Sequence, residues 1–256
     1  MKFSDKKRKK NKGFKEIFGT HAVRAALNNP NRDNQKLFIS ESQSSFLNIN
    51  IKKSVKEINE LPNKEMFKLF GNESSHQGIV LITSNLTQPS LEEILSVSNK
   101  KEIDVIVMLD QVTDPNNIGS IMRSCALFNC NTIIISKDNA PDITASMAKA
   151  ASGALEIINY IKVTNLSRAI YQLKQNYYWI YGLDSNINNS NSHLELPKKC
   201  VLVIGSEGKG LRELTKKECD GLIAIPMKTN SNFQIESLNV ANACSIALYE
   251  HFVKNH

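Results

Sequence analysis

The chain has 256 residues, of which 41% are hydrophobic and 22% are charged, a balance typical of a soluble globular protein with a buried core. Its apolar runs are far shorter than the roughly 20 residues that a membrane helix needs, and its first residues contain no apolar signal core. We therefore expect a cytoplasmic protein that is not bound to a membrane. The formal net charge is +7.

The positive charge is concentrated at the start of the chain. Residues 1–15 contain eight of the 32 Lys and Arg and one of the 25 Asp and Glu, so 24 residues of each sign remain in the rest. We predict a disordered basic tail over residues 1–15. Such a tail either makes sequence-independent contacts to nucleic-acid phosphates or only keeps the protein soluble.

The five Cys and the five His are scattered along the chain, and none stand at the spacing of a zinc site. An odd number of cysteines without a C-x-x-C pair is typical of reduced thiols. We therefore expect free thiols and no metal site.

The first half of the chain, residues 16–84, is predicted to be a small α/β module. FGTHAVRAALNN predicts a helix that ends at Asn28 or Asn29, and KEMFKLF predicts another. Strands are predicted at 36–40 and 77–83, and a Lys-rich helix at 51–60. Residues 85–103 form a linker whose helix, 90–98, begins with a capping-box spacing.

From Asp104 onward, short apolar runs rich in β-branched residues alternate with helix-like segments. This pattern predicts an α/β domain over residues 104–256, with a mostly parallel sheet covered by helices on both faces. The runs are DVIVMLD, NTIIIS, EIINYIKV, YYWIYGL, CVLVIGS and LIAIP.

Three segments that follow predicted strands have an unusual composition, and ligands of open parallel sheets bind beyond the carboxyl ends of strands. The segments are DQVTDPNNIGSIMRS (110–124), GSEGKGLRE (205–213) and IPMKTNSNFQIESLNVANA (225–243). In the first, a helical period places Arg123 opposite the apolar stripe. A guanidinium there can bind a phosphate or a carboxylate, or it is an ordinary solvated side chain.

The other two segments are open to alternatives as well. GSEGKGLRE lacks the Lys-Ser or Lys-Thr of a phosphate-binding loop, so it is either a close-approach turn for a ligand or a plain strand-to-helix turn. Ser237 could cap the last helix, and Asn239 could bond to the local backbone.

Taken together and in order, LDQVTDPNNIGSIMRSCALF, VLVIGSEGKGLRELT and IAIPM…SLNVANACSIALYE resemble the three signature motifs of the SpoU-type RNA ribose 2′-O-methyltransferases, a family of the knotted SPOUT class. IFGTHAVRAAL and HQGIVL in the first half resemble the substrate-binding domain of the same family, which is similar to ribosomal protein L30e. The resemblance implies a deep trefoil knot within residues 104–256 and a homodimer with the site near the subunit interface.

The resemblance also implies the cofactor, the substrate and the site residues. The methyl donor is S-adenosylmethionine, and its contacts map to Gly205, Ile225 and Leu238, with Ser237 close by. The chain is several residues longer than the family between Ile225 and Leu238, so the path of residues 228–236 is not predicted. The implied substrate is RNA rather than DNA, most closely a guanosine ribose of 23S rRNA. A tRNA substrate and a non-catalytic RNA-binding protein are the alternatives.

The catalytic positions implied by the resemblance are Arg123, Asn117, Glu207 and Asn239. Because a guanidinium stays protonated in proteins, we expect Arg123 to hold the target phosphate and to stabilise the developing alkoxide rather than to accept a proton. Asn117 is expected to orient the site by hydrogen bonding, and Asn239 to position the nucleotide or the arginine.

Overall fold

A computed structural model describes residues 13–71, 76–138, 140–185, 196–227 and 237–255. Residues 1–12 of the predicted tail, residues 186–192 of the polar, loop-like segment DSNINNSNS (184–192) and all of residues 228–236 lie outside the described residues. The chain divides into two compact units. The first comprises Met1–Thr87 with Thr144–Glu156, and the second comprises Gln88–Ile143 with Ile157–His256.

The first unit is a four-stranded mixed sheet with helices. Its strands stand in the order β1-β4-β2-β3, in which β4 is antiparallel to both of its neighbours and β2 is parallel to β3. Its elements are β1 (Phe14–Phe18), α1 (Thr20–Asn28), β2 (Asn34–Ser40), a 3-10 helix (Glu41–Phe46), α2 (Ile49–Lys53), β3 (Glu57–Leu61), α3 (Asn63–Phe70) and β4 (Ile79–Ser84).

Two sequence predictions in this unit are corrected. Strand β1 begins at Phe14, inside the predicted tail, because its backbone pairs with β4 from Phe14 to Phe18. The predicted helix over 51–60 is wrong beyond Lys53, since residues Glu57–Leu61 form an edge strand that pairs with β2. The remaining predicted helices and strands of this half are confirmed.

A segment from the second half of the sequence completes the first unit. Helix α6 (Ala145–Ala151) packs against β1 and α1, and a 3-10 turn (Ala154–Glu156) follows it. Glu156 forms an ion pair with Arg32, and both side chains are almost fully buried. The compact units divide the chain differently from the predicted domains, in which residues 85–103 are a linker and residues 144–156 belong to the second domain. The domain boundaries stay a prediction.

The second unit is built on a six-stranded sheet in the order β10-β8-β9-β5-β6-β7, and every neighbouring pair is parallel. This confirms the predicted α/β fold with a mostly parallel sheet. The strands are β5 (Asp104–Asp110), β6 (Thr132–Ser136), β7 (Asn159–Val163), β8 (Trp179–Leu183), β9 (Lys199–Gly205) and β10 (Gly221–Ile223).

Helices cover this sheet because its central strands are buried on both faces. β5 is buried at all seven positions, so its five apolar side chains, which alternate between the faces, need apolar partners on both faces. One face packs against α4, which begins with the predicted capping box, and α7. The helices are α4 (Leu91–Ser98), α5 (Pro115–Leu127), α7 (Leu166–Gln175), α8 (Glu213–Glu218) and α9 (Val240–Asn255). Among the described residues, no helix has the length and apolar character to span a bilayer.

Candidate active site

Two of the three unusual segments leave the sheet side by side. β5 lies next to β9, and Asp110, the last residue of β5, pairs with Gly205, the last residue of β9. The chain proceeds from β5 to β6 and β7 on one side, and β9 and β8 lie on the other. The point where strand order reverses is the usual ligand-binding position in such sheets.

The first segment is shaped by a helix N-terminus. Asp114 caps α5, since its Oδ1 accepts a hydrogen bond from the backbone N of Asn116 at 3.0 Å. Pro115 occupies the first helical turn, where its missing N–H has no intrahelical partner to lose. The strand therefore ends in a short turn, and Asn117 lies in the first turn of α5.

The second segment is a tight turn that backs onto the sheet. Ser206 and Gly210 exchange backbone hydrogen bonds of 3.1 and 2.9 Å, and Gly210 has a φ of +65° that favours glycine. A Cβ on Gly205 would lie 2.2 Å from the carbonyl carbon of Gly210. The turn closes over Gly205, and it leaves Glu207 exposed at its tip.

A buried carboxylate fastens this turn to the first segment. Asp110 is fully buried, and its Oδ1 accepts a hydrogen bond of 2.7 Å from Nε of Arg212. Its Oδ2 accepts one of 3.1 Å from the backbone N of Arg212. The ends of β5 and of the turn after β9 are therefore joined by a charge pair.

The third segment begins α9, and its cap is Asn239. Oδ1 of Asn239 accepts hydrogen bonds from the backbone N of Ala241 at 2.9 Å and of Asn242 at 3.3 Å, which is the geometry of an N-cap. The possibility that Ser237 caps this helix is thus corrected. The alternative that Asn239 bonds to the local backbone is correct for its Oδ1. It does not account for the amide nitrogen Nδ2, which bonds elsewhere.

Three of the four predicted catalytic side chains meet in one network. Nδ2 of Asn239 donates to Oδ1 of Asn117 at 3.0 Å and to Oε1 of Glu207 at 2.7 Å. Nδ2 of Asn117 donates to the same Glu207 oxygen at 3.1 Å. Each amide therefore has a defined orientation, and Glu207 serves as the common acceptor.

A cavity of about 250 Å³ lies beside this network. The four residues predicted to bind a cofactor all line it: Gly205, Ile225, Ser237 and Leu238. Its other described walls are Leu183, Asp184, Ser185, Ile204, Ser206, Glu207, Gly208, Lys209, Gly210, Lys216, Ile223, Met227, Val240 and Ala243. These walls combine apolar side chains with polar and charged ones, so they suit a small ligand that has both polar and apolar parts.

Arg123 is not part of the network. It lies on α5, it is exposed, and it does not line the cavity. Among the residues that the structure describes, Arg123 has no ion-pair or hydrogen-bond partner. The sequence-based expectation that it faces away from the core is met, because Ile118, Ile121 and Met122 are the buried residues of this helix around it.

Two ion pairs at the site were not predicted from the sequence. One is Asp110 with Arg212; the other is Asp184 with Lys216, whose Nζ lies 2.8 Å from Oδ2 of Asp184 at the cavity wall. The Asp184 contact raises the pKa of Lys216. The sequence did contain a signal for these pairs, namely an acidic residue at the end of an apolar strand. Asp110 follows the last apolar residue of β5, and Asp184 follows the last apolar residue of β8.

No group of three or more His, Cys, Asp or Glu within the described ranges could hold a metal ion. The cysteines are free, and Cys125, Cys130, Cys200 and Cys244 are buried. Burial raises the pKa of Cys219 to about 11, so this thiol is protonated at neutral pH and a poor nucleophile.

Comparison with known proteins identifies the family. Residues 104–249 match the SpoU rRNA methylase family, and residues 17–89 match the RNA 2′-O ribose methyltransferase substrate-binding family. The chain is 35% identical over 250 residues to the 23S rRNA (guanosine-2′-O-)-methyltransferase RlmB of Coxiella burnetii, covering 93% of this chain and 94% of that protein. It is 33% identical to a protein of Staphylococcus aureus described as a TrmH family tRNA/rRNA methyltransferase, covering 94% and 96%.

Solved structures share the fold. The SpoU methyltransferase AviRb from Streptomyces viridochromogenes, in complex with AdoMet, superposes with a TM-score of 0.74 at 19% identity, over 95% of this chain and 91% of that one. An AdoMet-bound rRNA methyltransferase from Sinorhizobium meliloti gives 0.70 at 20% identity, over 94% and 87%. The chain belongs to the SpoU rRNA methylase family and is an RNA 2′-O-methyltransferase of that family.

Proposed function

We propose that the protein methylates the 2′-oxygen of a guanosine ribose in 23S rRNA, in the cytoplasm, with S-adenosylmethionine as the methyl donor. The observation that carries this proposal is the meeting of Asn117, Glu207 and Asn239 at the edge of a cavity that Gly205, Ile225 and Leu238 line. The preference for 23S rRNA rests on the name of the 35% identical relative. Relatives named for tRNA or rRNA make a tRNA the second candidate.

The cavity fits the proposed cofactor in its chemistry. Ile204, Ile223 and Leu238 offer apolar surface to a purine, and Asp184 and Lys216 offer charges of both signs to an amino-acid group. Ligand cavities commonly measure about 300–1,000 Å³, and this one, at about 250 Å³, is somewhat smaller than that range. S-adenosylmethionine supplies a methyl group on a sulfonium, a good donor, so the protein mainly has to align donor and acceptor.

We assign the network to the positioning of the target ribose. Glu207 accepts two amide N–H groups and, at 3.4 Å, the backbone N of Val240 on one oxygen. These bonds hold the turn 206–210 and the starts of α5 and α9 at a fixed spacing. A ribose that enters between them meets donors and acceptors whose directions are already set, which lowers the entropy lost in alignment.

We propose that Arg123 acts in a homodimer. Arg123 and Leu127 are one helical turn apart on α5, and both are exposed. Next to them, Phe128 contacts the rings of Tyr249 and Phe252 at centroid distances of 5.9 and 6.0 Å. Tyr249 and Leu127 are at least half exposed. An apolar aromatic surface of this kind is typical of a subunit contact, and it would place Arg123 at the border of that contact.

Two features of the fold belong to the same proposal. We propose that the second unit contains the trefoil knot of the family; the position of β9 between β5 and β8 supports this. We also propose an L30e-like fold for the first unit, which its four-stranded mixed sheet supports. The role of the basic tail in phosphate contact stays a prediction from composition.

The test is transfer of labelled methyl groups from S-adenosylmethionine to RNA by the purified protein, followed by mapping of the modified ribose. Arg123→Ala should abolish transfer with the fold intact. Arg168→Ala, an exposed arginine near the start of α7, is the matched control and should retain the wild-type rate. Full activity of Arg123→Ala would contradict its role, and RNA binding without cofactor binding would favour a non-catalytic protein.

A further inference from the structure

Arg212 presents an exposed guanidinium that is held in place from one side. Its Nε and its backbone N both bond to Asp110, at 2.7 and 3.1 Å. The Asp110 side chain is fully buried, whereas 45% of the Arg212 side chain is exposed. One edge of the guanidinium is therefore fixed against the end of β5, and the remainder faces solvent.

The exposed part of this side chain has unused donors. An arginine carries five N–H groups in a planar fork, and Asp110 occupies only the one on Nε. Within the described part of the chain, the two Nη groups of Arg212 have no hydrogen-bond partner. A fork of this geometry matches the oxygens of a phosphate, and a fork that is already oriented loses less entropy on binding.

Arg212 lies next to the turn that lines the cavity. Gly210 lines the cavity, and Arg212 follows two residues later, with the buried Leu211 between them. Lys209, which is exposed and also lines the cavity, adds a second cation to the same turn. Glu207 and Glu213 belong to the same segment, which is therefore neutral overall. A phosphate contact here depends on the orientation of the Arg212 guanidinium and not on an excess of positive charge.

We propose that Arg212 binds a phosphate of the RNA strand beside the cavity and acts as a positioning residue for the target ribose. The proposal rests on the proposed function, since it names a substrate contact of the same site. Asp110 orients the guanidinium in this arrangement. The competing explanation is that Arg212 only neutralises a buried carboxylate, and the two explanations differ in what RNA binding should show.

The test measures binding of a short fluorescein-labelled single-stranded oligoribonucleotide of mixed sequence across a salt series, without cofactor. Loss of one phosphate contact should lower the slope of log K against log salt by about 0.7. Arg212→Ala should show this change, together with affinity weakened about tenfold at low salt. The control is Lys100→Ala, an exposed cation before β5 and so at the opposite edge of the sheet, which should leave the slope unchanged.

Two further variants separate the loss of the Arg212 cation from the destabilisation caused by an unpaired buried carboxylate. Asp110→Asn keeps the guanidinium and should keep the slope, although methyl transfer should fall because the side chain is less well oriented. Arg212→Ala leaves a buried carboxylate without its cation, so the double variant Asp110→Asn/Arg212→Ala provides a protein without that buried charge. The double variant should show the same lowered slope as Arg212→Ala.

The contact is overturned if Arg212→Ala and the double variant keep the wild-type slope, or if Asp110→Asn lowers it as much as they do. Failure of the proposed function gives a different pattern. A wild-type protein that transfers no methyl group, but whose salt slope depends on Arg212, would retain the phosphate contact and lose the enzymatic assignment.

Discussion

Arg32 and Glu156 form a two-pronged ion pair although 124 positions separate them in the sequence. Nε of Arg32 lies 3.0 Å from Oε2 of Glu156, and Nη2 lies 2.7 Å from Oε1. Nδ2 of Asn29 donates to the same carboxylate at 2.8 Å. The side chains of the pair are only 3% and 7% exposed. This pair fastens the end of residues 144–156 within the first unit.

Replacement of Glu156 should therefore destabilise the first unit. Glu156→Ala leaves a buried guanidinium uncompensated, which should lower the free energy of unfolding by about 3–5 kcal/mol. The matched control is Glu57→Ala, which breaks the ion pair with Lys36, where both side chains are about half exposed. Exposed pairs contribute little, so this variant should behave like the wild type. Urea unfolding measures both, and equal midpoints for the two variants would contradict the assignment.

Asn239 should contribute to stability and to activity, whereas another asparagine cap should contribute to stability alone. Asn239→Ala removes the cap of α9 and two hydrogen bonds of the site network. Asn165→Ala removes only the cap of α7, in which Oδ1 of Asn165 accepts a hydrogen bond from the backbone N of Arg168 at 3.0 Å. Each change should lower stability by about 1 kcal/mol. Only Asn239→Ala should reduce methyl transfer, by up to about 100-fold, because misplacement at the site impairs alignment. Thermal unfolding and the transfer assay test both, and equal activity of the two variants would refute a role beyond capping.

Gly205 should tolerate no side chain. A Cβ there would lie 2.2 Å from the Gly210 carbonyl carbon and 2.4 Å from the Leu211 nitrogen, so Gly205→Ala must open the turn that lines the cavity. We expect S-adenosylmethionine affinity to fall more than tenfold in calorimetry. Gly208→Ala in the same turn has open space around its Cβ and only an unfavourable φ of +81°. It should bind nearly as well, and similar losses in both variants would count against a steric cause.

Tyr178 and Tyr160 offer a matched pair of buried hydroxyls. The Tyr178 hydroxyl donates to Oδ2 of the buried Asp104, whereas the Tyr160 hydroxyl has no partner in the described part of the chain. Tyr178→Phe should lower the free energy of unfolding by about 1–3 kcal/mol, because a buried carboxylate loses a donor. Tyr160→Phe should be close to neutral. Urea denaturation of both variants checks this, and a larger loss for Tyr160→Phe would reverse the conclusion.

The raised pKa of the Tyr178 hydroxyl leads us to expect a loss of folding stability at high pH. Burial, and then the bond to Asp104, raise the pKa of Tyr178, so the folded state keeps a proton that the unfolded tyrosine releases near pH 10. The contribution is complete below about pH 10 and declines as the pH rises beyond that value. Tyr178→Phe should flatten this decline in a series of urea titrations. An unchanged decline would show that other groups cause it.

The sheet of the second unit was predictable because its strands are apolar on both faces. A run such as DVIVMLD, apolar at every position between its two aspartates, is typical of a strand in the middle of a covered parallel sheet. The residues of β3 gave no such signal. The strand at Glu57–Leu61 is at an edge, only partly buried, and rich in Glu and Asn, so its pairing with β2 decides its conformation and local composition does not.

The meeting of the three motifs was predictable for a related reason. Parallel strands end at one edge, and the register of Asp110 with Gly205 brings the first two motifs together. The side-chain bonds were not predictable, since the choice of Asn239 rather than Ser237 as the cap depends on where α9 begins. The membership of residues 144–156 in the first unit depends on partners far away in the sequence, namely β1, α1, Asn29 and Arg32. No periodicity reveals such partners.

The route of the main chain sets how this protein can be divided. Because residues 144–156 belong to the first unit, the polypeptide passes from one unit to the other after Thr87, after Ile143 and after Glu156. Removal of residues 1–87 would remove the residues against which α6 packs, and would expose its buried Met147, Ala148 and Ala151. A fragment that begins after residue 87 is therefore expected to need polar substitutions at these three positions to stay soluble.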